Sequence, residues 1–421
     1  MTKAVLGSTP LYFLSLFRAP SGVIGELERI RKNFFGGGGG ECNKSSFAWV
    51  KWKTILKPFH KGGLNVGCLK DMNHALLAKW WWRFRVENGT FWNKVIRSIY
   101  GSEGGCGGRE EVGSGRGGSV WRNIVGVGRC IDGSGISFSE SFRKVVGEGR
   151  DTRFWEDVWL GDKSLKEEFP RICRLDSSWG IGEVISEKGE WVEGRWRWLW
   201  SWRRDPRGRE LGELSGWTPC RGKKDAWDWD LDPGKGFSVR KMRGLLADVG
   251  RGAAEGCKTV WSRLVPRKVN VFVWRVRLGR IPTRVLLDKR GIDLDSVLCP
   301  RCGEYSEDID HALLNCEVVK NLWLKVGNWW NKPMNGVVSV SQLLSEDEEL
   351  IHNHIDKARW VGVKWVFLYL LWSNRNSLVF RNEKKELNGC FFEWQRVAFE
   401  WISSKSKGGC GDWFSWLAGE G

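Results

Sequence analysis

The sequence is poor in several features on which common protein classes depend. Only 11 prolines, 5 histidines and 4 tyrosines occur in 421 residues. No apolar run reaches the ~20 residues that cross a bilayer, and the best candidate, residues 360–372, is short and interrupted by Lys364. The apolar residues 11–17 lack the preceding basic region of a secretory signal. We therefore expect no membrane partner and no secretion.

Sequence motifs of common catalytic sites are also lacking. The chain has no G-x-x-x-x-G-K-[ST] phosphate loop, no G-x-S-x-G nucleophile elbow and no aromatic-x-Asp-Asp pair of polymerase carboxylates. His352 and His354 flank Asn353, but three residues alone do not indicate a nuclease. The sequence thus offers no catalytic residues of its own.

The twelve cysteines are scattered along the chain, and only Cys299 and Cys302 have C-x2-C spacing. This density is far below that of a disulfide scaffold. A reducing compartment fits such cysteines better, so we expect an intracellular protein.

The positive charge is concentrated in two places. The chain carries a net charge of +17, from 67 Lys and Arg against 50 Asp and Glu. Residues 1–100 contribute +11 and residues 266–291 contribute +7, which together account for the whole excess. Local basic excess is typical of a surface that contacts a polyanion such as RNA or DNA. The alternative is that these side chains only solvate helix faces.

Periodicity predicts helices at both ends of the chain and a mixed region between them. Ser21 can cap a helix over residues 22–35 with an apolar stripe of Val23, Leu27, Ile30 and Phe34. A second helix is expected from Asp71, and its alternating aromatic and basic residues suit either base stacking or a core. The alternating tryptophans 196, 198, 200 and 202 predict a strand, and residues 226–239 a hairpin.

These patterns predict an α+β, predominantly helical chain of several modules. The expected division is a basic helical segment (1–100), a Gly-rich linker (101–120), a Trp-rich α+β region (121–236), a small structural zinc-binding domain (237–331) and a helical aromatic region (332–421).

The sharpest chemical signal is a C-x2-C-x8-H-x4-C pattern formed by Cys299, Cys302, His311 and Cys316. Zinc prefers four thiolate or imidazole donors in a tetrahedron, and this set leaves no position for water. Gly303 provides the positive φ that a tight C-x2-C turn tends to need. Because His311 and Cys316 are five residues apart, they need an irregular geometry to converge. The pattern predicts a structural zinc ion. A chance cluster or a Cys299–Cys302 disulfide is the alternative.

The second basic segment lies directly before this pattern. Two short helices are expected there, the first ended by Gly279 and the second begun near Pro282 and closed by Gly291. Only Asp288 is available locally as an acidic partner. The predicted nucleic-acid contacts are Lys268, Arg275, Arg277, Arg280, Arg284, Lys289 and Arg290.

Together these residues resemble a known family. The resemblance rests on residues 265–275 (VPRKVNVFVWR), residues 280–291 (RIPTRVLLDKRG), the Cys/His set and Trp323. They are similar to the zinc-binding domain of plant non-LTR (LINE-type) retrotransposon reverse transcriptases. The segments 149–160, 236–239 and 372–380 resemble its downstream region, and residues 13–84 resemble the segment that follows the polymerase palm.

The resemblance implies descent from an RNA-directed DNA polymerase, although the family's palm aspartates have no counterpart in these 421 residues. We expect a nucleic-acid-binding, zinc-stabilised C-terminal portion that lacks the polymerase active site. Its expected partners are RNA or DNA and a chain that bears the polymerase, and its expected location is the nucleus. The alternatives are a domesticated zinc module for protein–protein contact and a nonfunctional retroelement remnant.

Overall fold

The computed structural model describes residues 8, 10–35, 49–106, 119–177, 183–204, 217–249, 258–332, 334, 336–345, 347, 349, 355–383, 386–406 and 412–419. Most of the predicted Gly-rich linker (residues 107–118) and both His352 and His354 lie outside these residues. Within them the chain is predominantly helical with four short strands, which confirms the predicted α+β class.

The helices are α1 (Leu11–Leu14), α2 (Ser21–Phe35), α3 (Trp52–Leu56), α4 (Leu69–Val86), α5 (Phe91–Tyr100), α6 (Val120–Asp132), α7 (Leu165–Glu168), α8 (Pro170–Leu175), α9 (Val239–Val249), α10 (Arg267–Arg277), α11 (Arg284–Asp288), α12 (Glu317–Trp329), α13 (Val340–Leu343), α14 (Ile355–Arg381), α15 (Leu387–Ser403) and α16 (Trp413–Leu417). The strands are β1 (Phe142–Val145), β2 (Gly189–Val192), β3 (Arg195–Trp198) and β4 (Ala226–Trp229).

The chain divides into two compact units that are not continuous in sequence. The first comprises residues 1–40 and 66–253, and the second comprises residues 41–65 and 254–421. The finer five-part division expected from the sequence stays a prediction.

Helix α4 forms the centre of the first unit, where it packs against α6 and α9. Trp81 is 2% exposed, and its indole N–H donates to the carbonyl of Ile124 at 2.9 Å. Phe84 is equally buried. These aromatic side chains of α4 therefore belong to the core, which removes them from the base-stacking alternative.

The strands form two separate antiparallel pairs. β2 and β3 form a hairpin whose turn residues Glu193 and Gly194 both have positive φ, as a type I′ turn requires. β4 pairs with β1, so that Trp229 lies opposite Phe142. The predicted hairpin over residues 226–239 is therefore wrong, because the chain after β4 continues into α9 and the partner strand lies far earlier in the sequence.

Helix α2 presents its apolar stripe to solvent. Ile30 and Phe34 are 43% and 48% exposed, whereas Arg31 is 2% exposed. Arg31 pairs with Glu28 at 2.9 Å, and the Glu28 carboxylate accepts a hydrogen bond at 2.8 Å from the backbone N–H of Leu69. An ion pair that caps α4 thus sets which face of α2 is buried, because the first N–H groups of a helix need acceptors.

Helix α14 forms the centre of the second unit. Trp365, Phe367, Leu368 and Leu371 are fully buried, and the helix packs against α10 and α15. An α-helix that is apolar on all sides is surrounded by other elements. Its one buried lysine, Lys364, donates to the Asp347 carboxylate at 2.6 Å. In the described part of the chain, no helix combines the length and apolarity that a bilayer crossing requires.

The early segment of the second unit is joined to its later part by buried hydrogen bonds. The indole N–H of Trp274 on α10 donates to the Gly62 carbonyl at 2.9 Å. The Thr259 hydroxyl donates to the Gly63 carbonyl at 2.8 Å. Helix α10, which carries several of the predicted basic contacts, therefore depends on a segment about 200 residues earlier in the chain.

Candidate metal centre

The first two candidate ligands lie on a tight turn between Leu298 and Ser306, which pair as an antiparallel bridge. The N–H of Cys299 donates to the Tyr305 carbonyl at 2.7 Å, and the N–H of Gly303 donates back to the Cys299 carbonyl at 2.8 Å. Gly303 has a φ of +73°, and a Cβ there would contact nothing within 4 Å. Glycine is thus favoured at this position for its backbone conformation, as the sequence predicts.

The other two candidate ligands flank a π-helical turn, His311–Asn315. The N–H of Cys316 donates to the His311 carbonyl at 3.0 Å, which is an i to i+5 hydrogen bond. In a regular α-helix, residues five apart point about 140° away from each other. The wider turn removes most of this offset. It is the irregular geometry that the spacing requires.

The structure brings the four side chains together. One ligand atom from each of Cys299, Cys302, His311 and Cys316 lies within 4.8 Å of the other three. The Cys302 Sγ and the His311 Nε2 are 3.4 Å apart. Tetrahedral zinc, with Zn–S near 2.3 Å and Zn–N near 2.0–2.1 Å, requires an S···N separation of about 3.5 Å. The donor set and its spacing therefore fit a four-coordinate zinc-type ion.

Two of the ligands are already polarised by their surroundings. The thiol of Cys316 and the backbone N–H groups of Cys302 and Arg301 donate to the Cys299 sulfur, and the pKa of Cys299 falls to about 4. The pKa of Cys316 is raised, because its proton is held in that hydrogen bond. The pair therefore holds one thiolate before a metal binds, and the thiolate is the form that ligates zinc.

Arg301, between the first two cysteines, connects the two halves of the cluster to α14. Its guanidinium donates to the Ala312 carbonyl at 3.2 Å, to the Leu371 carbonyl at 2.6 Å and to the Asn374 amide oxygen at 3.2 Å. Burial lowers the pKa of Arg301, and the nearby cysteines oppose this effect. A cation here offsets the net negative charge of three thiolates on a divalent ion. The sequence analysis did not single out this residue, although it lies inside the C-x2-C pattern.

A second buried ion pair fixes the neighbouring basic helix. Glu307 is fully buried and pairs with Arg375 of α14, whose Nε lies 2.6 Å from the carboxylate. The same carboxylate accepts from the backbone N–H of Arg284 at 2.9 Å, at the start of α11. Glu307 therefore ties α11 to the central helix. Its role has no local signal in the sequence, because Arg375 lies 68 residues away.

Three of the seven predicted nucleic-acid contacts are engaged within the protein. Arg277 donates to the buried Asp347 carboxylate at 3.1 Å. Arg290 lies over the Trp49 ring at 4.7 Å and donates to the Trp49 carbonyl at 3.2 Å. Arg275 is half-buried, and burial lowers its pKa. These side chains support α10 and α11 from inside.

The remaining four are more accessible. Lys268, Arg280 and Lys289 are exposed, and Lys268 lies over the Trp401 ring at 4.6 Å. Arg284 is half-buried and donates to the Leu298 carbonyl at 2.9 Å, one residue before the first ligand. Arg284 thus joins α11 directly to the metal-binding turn.

Comparison with known proteins places the cluster inside a recognised domain. A family model described as zinc-binding in reverse transcriptase matches residues 237–323, which include all four candidate ligands. Residues 237–323 match the reverse-transcriptase zinc-binding domain. The predicted resemblance to the C-terminal part of plant LINE-type retrotransposon reverse transcriptases is confirmed at this level.

Two proteins of Arabidopsis thaliana resemble longer parts of the chain. One, named "Putative ribonuclease H protein", is 26% identical over 395 residues, which cover 88% of this chain and 58% of that protein. An uncharacterized mitochondrial protein is 29% identical over 160 residues, or 37% of this chain and 94% of that protein. This chain thus spans 58% of the length of the first relative. No solved structure matches it significantly.

Proposed function

We propose that the chain is the nucleic-acid-binding, zinc-stabilised C-terminal portion of a LINE-type retrotransposon reverse transcriptase. The observation that carries the proposal is the convergence of Cys299, Cys302, His311 and Cys316 inside the reverse-transcriptase zinc-binding domain. The adjacent basic helices α10 and α11 supply the polyanion-binding character.

Zinc would be held by those four side chains as a structural ion. Three thiolates and one imidazole complete a tetrahedron, so the ion would cross-link the turn and the π-helical segment. Arg301 and Arg284 then transmit this support, the first to α14 and the second to α11. The proposed role of the metal is to hold the basic helices in one orientation.

The proposed nucleic-acid surface consists of the accessible cations Lys268, Arg280, Arg284 and Lys289. They follow one another over 22 residues that contain a single acid, Asp288. Cations on such a surface bind phosphates and position the strand without reading the bases. The surface would take template RNA or target DNA.

Polymerisation itself is assigned to a partner. Phosphoryl transfer to a growing strand needs carboxylates that hold two metal ions, and this sequence lacks the aromatic-x-Asp-Asp motif. The chain would therefore act together with a polypeptide that bears the polymerase palm. A nuclear location follows from the proposed DNA target.

Binding of a fluorescent RNA or DNA 20-mer, measured by anisotropy from 50 to 200 mM salt, tests this proposal. Each phosphate neutralised contributes a log–log salt slope of about −0.7 on single strands and −0.9 on duplex DNA. If Lys268, Arg280 and Lys289 contact phosphates, replacing all three with alanine should make the slope less negative by about 2 on single strands. Arg277 is left intact because it supports the buried Asp347.

The matched control replaces Lys320, Lys325 and Lys332 with alanine. These exposed lysines lie on or just after α12 and remove the same charge from the same unit. The control should retain the wild-type slope within error. Equal slopes and affinities in wild type and the first variant would reject the proposed surface and favour the protein-contact alternative.

A further inference from the structure

The first unit contains a cavity of about 230 Å³ that is unrelated to the metal centre. It lies where the end of α4, α5, β1 and β4 meet. Four cations and two aromatic rings line it: Arg85, Arg97, Lys144, Arg153, Phe84 and Trp227. A concave site with several convergent cations is a candidate for an anionic ligand.

One of the four cations is fully neutralised. Arg153 pairs with Asp157 at 2.8 Å, with Glu103 at 2.7 Å and with Glu156 at 2.8 Å. Two of these carboxylates, those of Glu103 and Asp157, also line the cavity. Their charge is therefore already committed to Arg153, and it offsets the other cations only at longer range.

The other three cations have neutral hydrogen-bond partners. Lys144 is 8% exposed and donates to the Asp151 carbonyl at 2.8 Å. Arg85 donates to the Trp81 carbonyl at 3.1 Å, and Arg97 to the amide oxygen of Asn93 at 2.7 Å. Among the described residues, none of the three forms an ion pair with a carboxylate.

Aromatic faces support these charges in place of counterions. The Lys144 ammonium lies 4.8 Å from the Trp227 ring centroid, and the Arg85 guanidinium 4.3 Å from that of Phe142. Burial nevertheless lowers the pKa of both Lys144 and Arg85. A buried cation without a counterion is destabilising, and a bound anion would relieve that cost.

We propose that this cavity binds a phosphate group carried by a nucleotide or a nucleic-acid strand. Two guanidinium forks and one ammonium offer more donors than a carboxylate can accept, and they match the charge and oxygens of phosphate. The volume is below the ~300 Å³ of common drug-sized sites, which fits a phosphate with part of its nucleoside. The site lies in the first unit, so it does not depend on the zinc-stabilised surface.

Isothermal titration of the full chain with inorganic phosphate, at constant ionic strength, tests the proposal. Wild type should bind, and Lys144→Gln should weaken the affinity about tenfold or more, because it removes a charge-assisted hydrogen bond. Arg143→Gln is the matched control. Arg143 lies on the same strand and pairs instead with Asp162 and Asp230.

A second pair of variants protects the test against misfolding of Lys144→Gln. Arg97→Gln should also weaken phosphate binding, whereas Lys94→Gln on the exposed side of the same helix should leave it unchanged. Absence of phosphate binding by wild type at about 10 mM, a limit near −3 kcal/mol, would overturn the proposal. Equal losses in the cavity variants and their controls would do the same.

Adenosine monophosphate and a short single-stranded oligonucleotide distinguish the two sources of the phosphate. Tighter binding of the mononucleotide than of inorganic phosphate, lost in Arg97→Gln, identifies a nucleotide site. Tight binding of the oligonucleotide alone, with the same loss, identifies a strand-binding site.

Discussion

Replacing Cys302 with serine should separate the metal-binding role of the cluster from its packing role. Cys302 is half-buried and lies 3.4 Å from the His311 Nε2, so the substitution removes one ligand with little change in side-chain volume. Cys390→Ser is the matched control. Cys390 lies in the same hydrophobic core but outside the cluster.

The expected magnitude follows from the closed donor set. Structural zinc contributes about 10–16 kcal/mol of apparent binding free energy at pH 7, and this becomes folding free energy. A quarter of that value is about 2.5–4 kcal/mol for one of four ligands. The zinc affinity of Cys302→Ser should therefore fall by roughly two to three powers of ten.

Competition with a chromophoric chelator measures this affinity, and elemental analysis measures the stoichiometry. Wild type and Cys390→Ser should hold one zinc per chain. Amide hydrogen exchange should show lost protection at residues 299–316 in Cys302→Ser and none in the first unit. Less than half an equivalent of zinc in wild type, or an unchanged zinc content in Cys302→Ser, would refute the reasoning.

Three further predictions address catalysis and stability. Primer extension on an RNA template with Mg²⁺ should show no polymerase activity for this chain alone, and extension above a mock preparation would contradict it. Gly128→Ala should destabilise the fold by about 1–3 kcal/mol in urea unfolding, because its Cβ would clash with the buried Trp81 ring. Gly126→Ala on the same helix has room and should stabilise by about 0.5–1 kcal/mol. Arg375→Met should cost about 3–5 kcal/mol by leaving Glu307 buried and unpaired, and adding Glu307→Gln should recover part of that loss.

The parts of the site that the sequence predicts are those set by short-range spacing. The C-x2-C turn with Gly303 and the irregular step from His311 to Cys316 follow from the distances between ligands along the chain. The support from Arg301 and Glu307 does not, because their partners on α14 lie about 70 residues away. A pattern of residue types carries no record of which distant carbonyl or carboxylate completes a contact.

The errors in the fold have the same origin. The residues of β4 alternate as a strand should, but which strand it pairs with is decided by the tertiary packing, and β1 is selected over the residues that follow. Helix α2 has the amphipathic spacing that normally marks a buried face. Its Arg31–Glu28 pair turns the opposite face inward, and no helical periodicity could have indicated this.

The discontinuity of the second unit has a consequence for how the protein is made. The bond from Trp274 to the Gly62 carbonyl joins residues 212 positions apart. At about 5–20 residues per second, the ribosome takes roughly 10–40 s to synthesise the intervening chain. During that interval Ile55 and Leu56, which are buried in the folded protein, have no partners from α10 to cover them. The nascent chain must therefore avoid aggregation at this segment while the first unit folds, and a recombinant fragment that begins at residue 237 would leave the acceptor-seeking Trp274 indole without the Gly62 carbonyl.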